Sequence, residues 1–361
     1  MKGIKNILVF TNTLEKGGAE MQSVELSKVL SEKYNVKLVV FYGSKLHPEL
    51  IARLEGTGVN LICLSGKKIS VVFEFIKLIK RNKIDCIYSF LATTNFYAGV
   101  IGRICGVRYI IGGIRNSYYV GMKLLVQRFL HNNLMTKTIA NNYSSIEPLL
   151  KSGFKDDKFS VIHNVFPLPL TEDVVVNSSS LSTIVSVARF TAQKDYYSAL
   201  KSIALLKDKC CDIKFRYLII GYGELEDEIR KNIDELGLGD VVEIKINPNN
   251  IFENLVNSDI YLSTSLFEGT SNSILEAMYA ELPVVATNVG DNSYMVTEEN
   301  GFLTEIKNVD DISDKLSILL QNKEVREKMG CISKKIVLER FSKDMFAKRN
   351  FDLLEELMLK K

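Results

Sequence analysis

Histidine and cysteine, the side chains that most often hold zinc, are scarce in this sequence. The three histidines, His47, His131 and His163, stand at no metal-ligand spacing. The six cysteines, Cys63, Cys86, Cys105, Cys210, Cys211 and Cys331, include no C-x-x-C pair, and most lie in apolar runs such as LICL. A zinc site or a disulfide framework is therefore not expected, and buried thiols in a reducing compartment fit better. Long apolar runs are absent too. No stretch approaches the ~20 residues needed to span a bilayer. The first apolar run ends at Phe10, too soon for a signal peptide. A cytoplasmic protein is expected, with peripheral contact on the inner face of the plasma membrane left open. The G-x-G-x-x-G fingerprint of dinucleotide binding is also missing, which argues against a dehydrogenase.

What is present is an ordinary globular composition, 46% apolar and 25% charged over 361 residues. That length suggests about two domains. The formal net charge of +3 hides a division. Residues 1–165 carry a net +12 and residues 166–361 a net −9. Such an asymmetry is a cue for a charged partner, such as a phosphorylated ligand, nucleic acid or a membrane surface. Two domains of opposite charge attracting each other would account for it equally well.

Short β-branched runs alternate with amphipathic segments. In the first half the runs are NILVFT (6–11), NVKLVVF (35–41), NLICL (60–64), DCIYSF (85–90), RYIIGG (108–113), TKTIA (136–140) and FSVIHN (159–164). Helical patterns cover Ala19–Ser31, Ile69–Lys80 and Phe96–Cys105. The pattern breaks at VFPLPLTEDVVVNSSS and restarts with STIVSVA (182–188), KFRYLIIG (214–221), VVEIKI (241–246), DIYLST (259–264) and PVVAT (283–287). Helices are expected near 195–208, 224–236, 272–281, 310–321 and 323–338. Continuous apolar strands separated by helices imply parallel sheets covered on both faces. The fold expected is α/β, two doubly wound Rossmann-like domains in tandem, with ligands at the carboxyl ends of the strands. The boundaries are 1–165, a linker over 166–181, a second domain over 182–340, and a closing helix over 341–361 that packs back toward the first domain.

Three motifs carry chemistry. Lys16-Gly17-Gly18-Ala19-Glu20 follows the first strand and opens a helix. Paired glycines let the backbone approach a ligand, and a helix start favours an anion. A plain strand-to-helix turn would look the same. Arg189 and Lys194 lie just after the first strand of the second domain. A guanidinium fork and an ammonium point charge there suit a diphosphate. The competing reading is two solvated surface cations. The third motif, Phe267-Glu268-Gly269-Thr270-Ser271-Asn272-Ser273-Ile274-Leu275-Glu276, places two carboxylates beside a helix N-terminus with free N–H groups. Carboxylates accept hydrogen bonds from sugar hydroxyls, and free N–H groups hold phosphate. Together they suit a nucleotide sugar.

On these motifs the chain resembles glycosyltransferase family four, the retaining GT-B enzymes also called group 1 glycosyl transferases. The resemblance rests on the GGAE turn, SVARF…K, LIIGYGELEDEI, SDIYLSTSLFEGTSNSILEAMYAELPVVATNVGD, the E-x7-E pair Glu268 and Glu276, and the closing helix after RFS. It implies that Arg189 and Lys194 bind the donor diphosphate and that Glu276 holds the ribose. It further implies that Glu268 sits near the transferred sugar and that Gly269, Thr270, Ser271, Asn272 and Ser273 reach sugar and phosphate. Gly17 and Gly18 match a glycine turn facing the diphosphate, and Gly221 and Gly223 one beneath the nucleoside. Two departures from the family stand out. Thr270-Ser271 replace the usual Phe-Gly after the first acid, and Arg115-Asn116 stand where many members carry a histidine. Arg115 and Asn116 are candidates for sugar or acceptor contact, with a plain loop role as the alternative.

The resemblance implies a retaining, metal-independent hexosyltransferase with no cofactor. A nucleoside-diphosphate sugar, UDP-linked by prior, would donate to a glycan or polyprenyl-diphosphate-linked acceptor in bacterial surface polysaccharide synthesis. Nucleic acid is not an expected partner. A nucleotide-sugar epimerase of the same architecture, or a non-catalytic nucleotide-sugar-binding protein, is the alternative. The basic residues Lys67, Lys68, Lys77, Lys80, Arg81 and Lys83, interleaved with Val71, Val72, Phe73, Phe75 and Ile76, suit an anionic membrane contact, with a solvated helix face as the alternative.

Overall fold

A computed structural model describes residues 3–15, 17–64, 68–115, 119–167 and 181–359, without the side chains of Lys68 and Ile69. The chain forms two compact units, residues 1–165 with 343–361, and residues 166–342.

The first unit holds a seven-stranded parallel sheet: β1 (Asn6–Thr11), β2 (Asn35–Val40), β3 (Asn60–Cys63), β4 (Cys86–Ser89), β5 (Tyr109–Ile114), β6 (Lys137–Ala140) and β7 (Phe159–Val161). Their order across the sheet is β3-β2-β1-β4-β5-β6-β7. The second unit holds β8 (Ser182–Val187), β9 (Phe215–Gly221), β10 (Val242–Ile246), β11 (Ile260–Ser263), β12 (Val284–Thr287) and β13 (Gly301–Thr304), in the order β10-β9-β8-β11-β12-β13. Each sheet thus reverses direction beside its first strand, between β1 and β4 and between β8 and β11. A crevice opens at the carboxyl ends there, which is where doubly wound sheets bind ligands.

The apolar runs follow from burial on both faces. Along β1, Ile7 and Val9 enter one core and Leu8 and Phe10 the other. Along β8, Ile184 faces one core and Val185 and Val187 the other. Alternate residues point to opposite faces, so a strand covered on both sides reads as unbroken apolar sequence. The helix Lys343–Leu359 belongs to the first unit and packs Phe346, Phe351, Leu353, Leu354 and Leu357 into the core that holds Ile7 and Val9. Phe166 belongs to the second unit rather than to a linker. It is buried, and its amide donates to the Phe341 carbonyl at 3.2 Å. Most of the expected linker, 168–180, lies outside the described residues.

The structure adds elements that periodicity missed: the strand Gly301–Thr304 and the helices Pro48–Ala52, Gly121–Phe129, Ile146–Lys151, Ile251–Val256 and Asn292–Met295. It also corrects the surface assigned around the helix Lys68–Arg81. Val71 and Phe75 are buried in the core, Val72 and Ile76 pack against it, and of these five apolar side chains only Phe73 is exposed. The interleaved apolar residues face inward because the helix covers its sheet, which leaves Lys77, Lys80 and Arg81 on a solvated face.

Candidate active site

A cavity of about 380 Å³ opens at the carboxyl ends of the second sheet. Arg189 and Lys194 reach it from the segment after β8, Gly221 from the end of β9, and Glu268 and Thr270 from the segment after β11. Ser271, Asn272, Ser273 and Glu276 come from the start of the helix Asn272–Tyr279. Residues up to 87 positions apart in sequence thus converge because β8 and β11 are neighbours across the switch point.

The segment after β8 is tied to the segment after β11. The Leu266 amide donates to the Gln193 carbonyl at 2.8 Å, and the Gln193 side chain donates to the Phe267 carbonyl at 2.7 Å. Thr264 donates to the carbonyls of Lys194 and Asp195. Asp195 is left-handed, with φ 45°, and its carboxylate caps the helix Tyr196–Lys209 by accepting from Ser198. Lys194 is thereby aimed inward and forms an ion pair with Glu268, both side chains mostly shielded at 15% and 9% exposure. Ser265 donates a second hydrogen bond to the Glu268 carboxylate at 2.8 Å.

Glycines shape the floor. A Cβ at Gly221 would strike the Ala188 carbonyl, and one at Gly223 the Phe190 backbone. Gly290, at φ 58°, lies against the carbonyls of Glu268 and Gly269. No L-side chain fits there without moving the acidic turn. The Asp291 amide holds the same turn by donating to the Gly269 carbonyl at 3.1 Å.

The remaining charges lack protein partners. Arg189 is exposed, and among the described residues nothing pairs with its guanidinium. The Glu276 carboxylate likewise has no partner among them, and burial raises its pKa. Ser271 occupies the N-cap without using its side chain as a cap, which leaves the first turn beside the cavity without a side-chain cap. An anion and a pair of vicinal hydroxyls are the chemistry these groups would satisfy. The cavity is not a purely cationic one, since two carboxylates share it with two cations and Lys194 is already matched. Among the described residues no cluster of three His, Cys, Asp or Glu could hold a metal ion.

Other expected residues lie elsewhere. Gly223 and Gly269 are not among the residues that line the cavity. Gly17, Gly18 and Arg115 belong to the first unit, and Lys16 and Asn116 lie outside the described residues. Gly17 caps the helix Gly18–Ser31, and a Cβ there would meet the Glu20 carboxylate, which accepts from Thr13 at 3.1 Å. Arg115 stands on the Phe90 ring at 4.8 Å and donates to Asn164; burial pushes its pKa down to about 10. Sequence reasoning missed Gln193, Tyr222, Asn247 and Ile251, which also line the cavity. Tyr222 and Asn247 directly follow β9 and β10, so a carboxyl-end rule applied to every strand would have found both.

A larger cavity of about 620 Å³ lies at the opposite, amino edge of the same sheet, near Asp259 and Pro283. Its charges are already matched, Arg326 with Asp259 at 3.8 Å and Lys334 with Glu281 at 2.7 Å. The smaller cavity, with its unmatched groups, is the better candidate.

Two doubly wound sheets, with this crevice on the second, make the fold that of the GT-B glycosyltransferases. The structure of Anabaena Alr3699/HepE in complex with UDP superposes with a TM-score of 0.78 at 17% identity, over 97% of this chain and all of that one. Residues 174–336 match the family model for glycosyl transferases group 1. Through this segment, which is just under half of the chain, it is similar to that family. Curated relatives agree. An N-acetylgalactosamine-N,N'-diacetylbacillosaminyl-diphospho-undecaprenol 4-alpha-N-acetylgalactosaminyltransferase of Campylobacter jejuni is 25% identical over 88% of this chain and 91% of its own length. The capsular polysaccharide biosynthesis glycosyltransferase CapH of Staphylococcus aureus is 25% identical over 80% of this chain and 83% of its own.

Proposed function

We propose that this protein moves a sugar, with retention of configuration, from a UDP-sugar to a lipid-diphosphate-linked glycan in surface polysaccharide synthesis. The observation that carries the reading is the convergence of Arg189, the Lys194–Glu268 pair and Glu276 on one uncapped helix start. The UDP in the HepE complex and the undecaprenol-linked substrate in the name of the Campylobacter relative support the choice of donor and acceptor.

Transfer breaks the bond between the sugar's anomeric carbon and the β-phosphate oxygen, and negative charge grows on that phosphate. Preorganised positive potential lowers the barrier most there. Arg189 offers a planar fork, Lys194 a point charge, and the N–H groups near Asn272 a third source, so no metal is assigned a step. Lys194 has three N–H groups and can keep Glu268 while it meets phosphate. Glu268, fixed by Lys194 and Ser265, is thus oriented to accept from sugar hydroxyls. Glu276 accepts from the ribose. The acceptor hydroxyl attacks on the face the phosphate leaves, and the departing phosphate takes its proton.

Proton NMR of the product formed from UDP-sugars and a lipid-diphosphate acceptor, with and without EDTA, tests this. An α-configured product whose yield EDTA leaves unchanged is expected. A β-configured product overturns retention, and loss of activity restored by a divalent cation overturns metal independence.

A further inference from the structure

Residues 86–146 contain no Asp or Glu and six Lys or Arg. The helix Gly121–Phe129, GMKLLVQRF, lies inside this acid-free stretch. It turns one side inward. Leu124 and Val126 pack against two core clusters, and buried Gln127 bonds Asn95 at 3.2 Å and the Ala92 carbonyl at 3.1 Å. The other side is apolar and uncovered in this chain. Met122 is 74% exposed, Leu125 48% and Phe129 57%, and Val120 at the N-cap is 73% exposed. At about 100° per residue, Met122, Leu125 and Phe129 share an arc of about 60°. Lys123 and Arg128 lie on either flank of that arc.

A soluble surface helix normally shows solvent its polar side. This one shows solvent three large apolar side chains flanked by cations, with no carboxylate nearby in sequence to repel an anion. That is the pattern of a helix lying in a membrane interface, apolar stripe in the acyl boundary and cations at the headgroups. We infer that the Met122–Leu125–Phe129 face is a docking surface for an anionic lipid bilayer. The charge of its unit agrees: residues 1–165 with 343–361 carry a net +13. The inference deepens the proposal of a lipid-linked acceptor, on which it rests. It also relocates the membrane contact from the Lys68–Arg81 helix, whose apolar residues are mostly buried, to a different element.

The chain has no tryptophan, so a single introduced one reports without background. Leu125→Trp, added to vesicles of phosphatidylglycerol and phosphatidylcholine, is expected to shift its emission to shorter wavelength. Pure phosphatidylcholine vesicles should give a weaker shift, and Ile318→Trp on the second unit none. The triple variant Met122→Ser, Leu125→Ser, Phe129→Ser should co-sediment with the anionic vesicles roughly tenfold less than wild type. Its thermal stabilisation by UDP should be retained, which separates membrane failure from failure of the transferase reading. Wild-type-like vesicle binding by the triple variant overturns the proposal. So does an unshifted Leu125→Trp spectrum, or a wild-type dimer that the triple variant makes monomeric with vesicle binding unchanged. If the triple variant misfolds, Leu125→Ser alone decides on the same readouts.

Discussion

The two units share one strand order and differ in almost everything that touches chemistry. The first carries a net +13 and the second a net −10. The family match falls on 174–336, wholly within the second unit. In the second unit the carboxyl ends of β8 and β11 bring charged groups into one cavity. In the first, Gly17 lies against its own Glu20, and Arg115 is spent on Phe90 and Asn164. On the proposed function, one topology serves two tasks. A donor that is common to many enzymes demands a fixed set of groups, whereas acceptors differ from one enzyme to the next. The charge of a whole unit is a poor guide to its ligand, because the acidic unit holds the candidate diphosphate site.

The contrast can be broken first at the ion pair. Lys194→Ala and Glu268→Ala should each lower kcat/KM at least about a hundredfold, roughly 3 kcal/mol. The double variant should cost little more than either single one, because the two side chains meet in one pair. Arg115→Ala, in the other unit, should leave UDP affinity unchanged. Steady-state rates and UDP titrations read both. Gly290→Ala comes next. Its left-handed backbone and the carbonyls of Glu268 and Gly269 leave no room for a methyl, so a loss of about 1–3 kcal/mol in thermal stability is expected, together with weaker UDP binding.

Smaller effects sharpen the comparison through pH. Burial raises the pKa of Glu276. Its ionised form is disfavoured in the folded chain, so the second unit loses stability as pH rises from the ordinary carboxylate range through the raised value. Glu276→Gln should therefore stabilise the protein near neutrality and have no effect at pH low enough to protonate both states. The same change should weaken UDP about tenfold, since a charged acceptor for the ribose is lost. His131 in the first unit behaves oppositely. Burial lowers its pKa, and its ring bonds Thr138 and the Lys155 carbonyl, both at 2.8 Å. The unfolded chain takes the proton more readily, so the first unit loses stability as pH falls through about 6.5. Calorimetric scans across pH should show the two dependences with opposite sign.

The strands were legible because burial on both faces writes unbroken apolar runs, as in NILVFT and STIVSV. Gly301–Thr304 was not, being four residues long and bounded by polar neighbours. The helix Gly121–Phe129 escaped because its exposed Met122, Leu125 and Phe129 violate the periodicity that identifies surface helices. At the site, the residue types at Arg189, Lys194, Glu268 and Glu276 could be read as motifs. The pairing of Lys194 with Glu268 could not, because it depends on which strands become neighbours. That Arg189 and Glu276 have no side-chain partner among the described residues required knowing what else lines the cavity. The apolar residues of Lys68–Arg81 misled because a pattern alone does not say which side faces the sheet.

UDP titration by thermal shift, comparing wild type with Arg189→Ala/Lys194→Ala, tests the central claim most directly. A ligand at about 100 times its Kd stabilises by about 2.7 kcal/mol, a rise of roughly 5–10 °C for a unit of this size. The wild type should show that rise and the double variant almost none. Equal stabilisation of both proteins would contradict the assignment of this cavity to the nucleoside diphosphate.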